Sequence, residues 1–178
     1  MANTIEEKLV ESSRKLTDII VSEIGSNQVL FDEIIELMYR DKSPVSMRAA
    51  WVAYLVTQKN QHLAKKHYPK LIEILPNVKV DGVKRSALKM LADGVDDLNE
   101  DEFGALADIA FTFAGDPAQA IAVKAFSIDI LILVSKKYPD ILPEIEAILE
   151  SILPEASRGL KNKCYKLLKK LKKTGRLA

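Results

Sequence analysis

Cysteine occurs once in these 178 residues, at Cys164, which removes any disulfide framework and any cysteine-built zinc or iron–sulfur site. Glycine and proline number seven each, too few for a loop-rich β protein or a low-complexity chain. Long apolar runs are missing. The most apolar stretch, residues 128–134, is interrupted by Asp129 and falls far short of the ~20 residues a membrane crossing needs. Neither sign of charge dominates: 26 basic and 25 acidic residues leave +1, so total charge points to no class of partner. Gly-x-Gly-x-x-Gly, phosphate-loop and Gly-x-Ser-x-Gly patterns are all absent, and the reading expects no cofactor and no catalytic residue. The first residues become charged almost at once, without an apolar segment and cleavage site. With the lone thiol, this implies a cytoplasmic protein.

What the chain does have is helical period. Hydrophobic residues make up 48%, enough for a substantial core, and no stretch alternates with period two. Ile5, Leu9, Leu16, Ile20 and Ile24 form one stripe that Gly25 ends. Asn27 is placed to cap a second helix with the stripe Leu30, Ile34, Leu37 and Met38. Pro44, Pro69, Pro117 and Pro143 suit first turns, where a missing N–H costs nothing. The class is all-α.

The helices also repeat. Met47-Arg48, Val83-Lys84, Val123-Lys124 and Leu160-Lys161 each open a similar unit, at spacings of 36, 40 and 37 residues. Four residues on lie Trp51, Ala87, Ser127 and Cys164; eight on lie Leu55, Leu91, Leu131 and Leu168, predicted to be equivalent and buried. Second helices are expected near residues 69–76, 100–113 and 141–153.

A helix pair recurring at this period cannot bury both apolar faces alone and must stack on its neighbours. The hydrophobic-then-basic opening with its small and leucine columns, closest in Val83-Lys84-Arg85-Ser86-Ala87-Leu88, resembles HEAT repeats (armadillo-type helical repeats). That resemblance implies a right-handed α–α superhelix, a short solenoid whose second helices line a concave face. One repeat domain would then span residues 1–178. Residues 1–43 would be a diverged cap, 44–156 the central repeats and 157–178 a basic capping helix.

Charge is unevenly spread. Residues 158–178 carry nine basic side chains and no acid, whereas the other 157 residues hold 17 basic and 25 acidic, a net of −8. Leu160, Cys164, Leu167, Leu168 and Leu171 form one apolar face, leaving Lys169, Lys170, Lys172 and Lys173 to solvent. The segment reads as a polar end-cap or as an anion-binding surface. Between Lys89 and Lys124 stand eight acids and no base. Asp97-x-Asn99-x-Asp101 resembles the start of a calcium loop. Glu102 and Asp108 occupy the positions that need Gly and Glu, so Asn99 and Glu102 read instead as a helix cap, and no metal is expected. His62 and His67, five apart, do not share a helical face and read as surface or turn residues.

Trp51 is bulky in a column of small residues. Its place on the stripe with Met47, Tyr54 and Leu55 predicts core packing; the alternative is a groove residue that contacts a ligand. The functional expectation is a non-catalytic scaffold that binds another protein. The alternative is a nucleic-acid-binding HEAT-like protein, related to the alkylation-repair DNA glycosylases. The net −8 outside the tail argues against it, and no Asp and Arg align with Trp51 in the pattern those enzymes use.

Overall fold

The computed structural model describes residues 4–177, which form ten α-helices and four short 3-10 segments, with no strand among them. The chain divides between Asn99 and Glu100 into two compact units. In the first, α1 (Ile5–Lys8), α2 (Arg14–Ile24) and α3 (Gln28–Tyr39) are followed by α4 (Val45–Thr57), α5 (Tyr68–Ile74) and α6 (Asp81–Asp93). There α4 is the hub, packing against α2, α3 and α6. In the second unit α7 (Glu100–Gly115) packs on α8 (Ile121–Lys137) and α9 (Leu142–Ile152), and α9 packs on α10 (Arg158–Thr174). No described helix is long and apolar enough to cross a membrane.

Caps decide several boundaries. The stripe from Ile5 to Ile24, expected as one helix, is two. The Thr4 hydroxyl and Glu7 form a reciprocal capping box on α1, and the Ser13 hydroxyl accepts from Leu16 N at 3.2 Å to start α2. A serine offers more to a helix start than to a helix interior, so the chain breaks there. Asn27 caps α3 as predicted, accepting from Val29 N at 2.9 Å and Leu30 N at 3.3 Å. Pro69 and Pro143 sit in the first turns of α5 and α9, and Pro44 directly precedes α4. Pro117 does not open α8. It lies in the preceding turn, where the Asp116 carboxylate accepts from Ala118 N at 2.9 Å.

The repeat is present, with its first member shifted. The earliest i to i−4 backbone bonds of the four first helices are accepted by Lys42, Val80, Ala120 and Ser157. Those acceptors make Val45, Val83, Val123 and Leu160 equivalent, so the first unit begins two residues before Met47. Burial agrees. Ala49, Ala87, Ser127 and Cys164 form one fully buried column of small residues, and Ala53, Leu91, Leu131 and Leu168 form another buried column. Leu55 is only half-buried, so it is not the partner of the other three leucines. Helix α4 is apolar almost all round, with Arg48 its one charge, and such a helix does not announce its phase.

Small residues let α4 and α6 approach closely. A Cβ added to Gly82 would lie 2.3 Å from Met47 Cγ, so only glycine fits there. Polar ties follow the same period. Asn60 donates to Gly25 O, Gln28 to Leu63 O, Gln58 to Asp93, Lys137 to Glu100 and Lys163 to Asp129, each across 34–37 residues. Asp41, whose φ is 48°, reaches forward by the same step. Its carboxylate accepts from Lys79 N at 2.7 Å and Val80 N at 2.9 Å, holding the two residues that lead into α6, which has no side-chain cap of its own.

The corrected register and this cap are testable by chemical denaturation. Leu91→Ala and Leu131→Ala should each cost about 2–5 kcal/mol as fully buried leucines, and Leu55→Ala clearly less. Asp41→Ala should cost about 1–3 kcal/mol, because two N–H groups at the start of α6 lose a charged acceptor.

Candidate functional site

Trp51 is not a core residue. The two-residue shift turns it to the outer face of α4, where it is 39% exposed. In the corrected register its equivalents are Lys89, Asp129 and Lys166, so other first helices place a charged side chain where α4 places an indole. Its small-residue column belongs to Ala49 instead. Tyr54, one turn along, lies beside it with ring centroids 5.7 Å apart. From α6, the Lys89 ammonium stands 3.7 Å from the Tyr54 centroid and 5.3 Å from that of Trp51. Cation–π attraction of this kind is worth ~0.5–1 kcal/mol at an exposed site and holds the two rings against α6. Arg48, on the preceding turn, is held by its own bonds to Ser12 Oγ at 3.2 Å and Leu9 O at 2.7 Å. Sequence reasoning placed Trp51 on one stripe with Tyr54 but missed Lys89 as their companion. The signal was the charged column, hidden by the wrong phase.

The other predicted residues lie in the second unit. Lys169, Lys170, Lys172 and Lys173 are all exposed on α10, whose Leu160, Cys164, Leu168 and Leu171 are buried. Leu167, expected in that face, is half-buried. Lys172 points to the flank nearest α9, with its ammonium 4.0 Å from Glu150. Lys163 is spent on structure, donating to Asp129 at 2.6 Å and to Ala125 O at 2.8 Å. Cys164 is sealed in the core, and burial pushes its thiol up from the ordinary range, so it is a packing residue.

A third cluster was not foreseen. His67, expected as a surface or turn residue, ends a 3-10 segment with its ring largely covered. Its Nε2 donates to Asp32 Oδ1 at 2.8 Å, and its Nδ1 lies 3.5 Å from the Tyr39 hydroxyl. Lys66 at 2.6 Å and Gln28 at 2.8 Å also donate to Asp32. Burial raises the Asp32 carboxyl, but these three donors outweigh it and hold its pKa at about 2. Burial, with Glu36 and Asp32 nearby, raises the Tyr39 phenol. Asp32 and His67 stand 35 residues apart, one repeat step, and local spacing gives no sign of such a pair. Every donor is paired and the Tyr39 ring is capped by Lys70 at 4.4 Å, so the cluster ties repeats together. Among the described residues no group of three or more His, Cys, Asp or Glu is arranged to hold a metal ion.

Asp32 makes stability depend on acid. Its folded pKa lies below the ordinary 3.8, so its contribution is complete above about pH 4 and is lost as pH falls toward 2. Melting followed by circular dichroism should show Asp32→Asn less stable than the parent at pH 7, with the gap narrowing between pH 4 and pH 2.

Comparison with known proteins agrees with the repeat derived above. No curated protein and no solved structure matches the chain. The HEAT repeat domain family matches residues 5–171, nearly the whole length. With that span and with first helices recurring at 37–40 residues, the chain belongs to the HEAT repeat domain family.

Proposed function

We propose that this chain is a non-catalytic scaffold that binds another protein through the Trp51 face of α4 and α6. One observation carries the reading: an indole stands in solvent at a position where the other three first helices place Lys or Asp. Trp and Tyr are the side chains that most often dominate protein interfaces, because a rigid ring buries a large apolar area at small entropic cost. Lys89 stands over the rings and Arg85, one turn earlier on α6, is exposed, which favours a partner segment that offers an apolar side chain beside acidic ones. HEAT-like repeats stack into extended surfaces suited to such segments. We take residues 1–178 as one repeat array working in the cytoplasm, where its one thiol needs no partner.

The test is selection of displayed peptides on the immobilised full chain, followed by calorimetry. Selected peptides should pair an aromatic or aliphatic residue with Asp or Glu. Trp51→Ala should weaken them at least ~10-fold, about 1.4 kcal/mol, with only the small drop in melting temperature that loss of the Lys89 and Tyr54 contacts brings. Equal affinity for the Trp51→Ala variant would remove this face from the binding surface.

A further inference from the structure

The second unit sorts its charges by helix layer. Helices α7 and α9, which touch each other, contain no Lys or Arg; their charges are acids such as Asp101, Asp108, Glu144 and Glu150. Helices α8 and α10, joined through Lys163, contain one acid between them, Asp129, and Lys163 neutralises it. At the layer edges, Lys137 pairs with Glu100 and Lys172 with Glu150. The outward face of α10 is left with Lys166, Lys169, Lys170 and Lys173, all exposed. None of the four forms an ion pair among the described residues. They recur at i, i+3, i+4 and i+7, one straight row ~10 Å long at 1.5 Å rise per residue. Tyr165 stands beside the row, 58% exposed.

We infer that this row is a docking surface for the phosphate backbone of duplex nucleic acid. The sequence argued against polyanions because the rest of the chain is acidic, but within this unit seven of the eleven acids sit on α7 and α9 and none sits on α10. Four unpaired cations in a row keep full counterion-releasing power, and a duplex carries one charge per ~1.7 Å of axis, dense enough to meet all four at once. Lysine on a flexible stem suits phosphate position rather than base identity, so recognition is of backbone, not sequence. A lipid surface fits less well: the apolar face of α10 is committed to the core and has nothing to insert. An acidic protein fits less well too, because Tyr165 is the one large apolar side chain of α10 that is exposed, and a protein interface needs an apolar centre.

The experiment is fluorescence anisotropy of the full chain with a labelled 20-base-pair duplex, titrated between 25 and 200 mM KCl. Four phosphate contacts at ~0.9 each predict a log–log salt slope near −3 to −4, a loss of affinity of roughly 1,000-fold over that range. The Lys166→Gln, Lys169→Gln, Lys170→Gln, Lys173→Gln variant should lose most of the slope while melting as the parent does. The matching four-fold Lys→Arg variant should keep it, which separates charge from any loss of fold. No binding at 25 mM KCl, or a slope unchanged in the Gln variant, would overturn the assignment. Tighter binding to phosphatidylserine vesicles or polyglutamate than to the duplex, at matched charge, would also overturn it.

Discussion

A helix hairpin of this size has two apolar faces and only one partner within itself, and that shortfall organises each unit. The second face must find the next hairpin, so first helices need side chains small enough to let a neighbour come close. In the first unit α4 packs on α6, and Ala49 and Ala87 on these helices are small and fully buried. Gly82 takes it to the limit, giving up its side chain to admit Met47. Around this dry contact the polar groups are tied at the same period, so apolar and polar stabilisation reinforce one geometry.

Much of this could be read in the primary structure, because a repeat announces itself by comparison with itself. The second helices fall where the prolines and acids place them, and α7 begins at Glu100 as its acidic first turn implies. What could not be read was phase where hydrophobicity is uniform. In α4 a shift of two residues exchanges one set of apolar side chains for another, and local pattern has no preference. Amphipathic α10, with lysine on every other face, allowed no such exchange, and its buried residues are those expected save half-buried Leu167. Contacts between repeats were hidden for a different reason. The Asp32–His67 pair and the Asp41 cap join residues whose neighbourhood exists only after stacking.

The candidate surfaces show the same division. Trp51 drew notice by size alone, yet its meaning depended on which column it occupied. The lysines of α10 were plain to see, but net charge counted residues without placing them. The fold separates the acids of α7 and α9 from the bases of α8 and α10, and potential at a surface follows that placement rather than the sum.

Asp41 carries one more consequence, for the way the first unit assembles. Helix α6 has no side-chain cap of its own, and the carboxylate at its start comes from a loop about forty residues upstream. The two N–H groups that lead into it are therefore satisfied only with the preceding hairpin in place. The segment from α5 to α6 thus takes part of its hydrogen bonding from the hairpin before it, and the tie between neighbouring repeats runs through backbone as well as side chains.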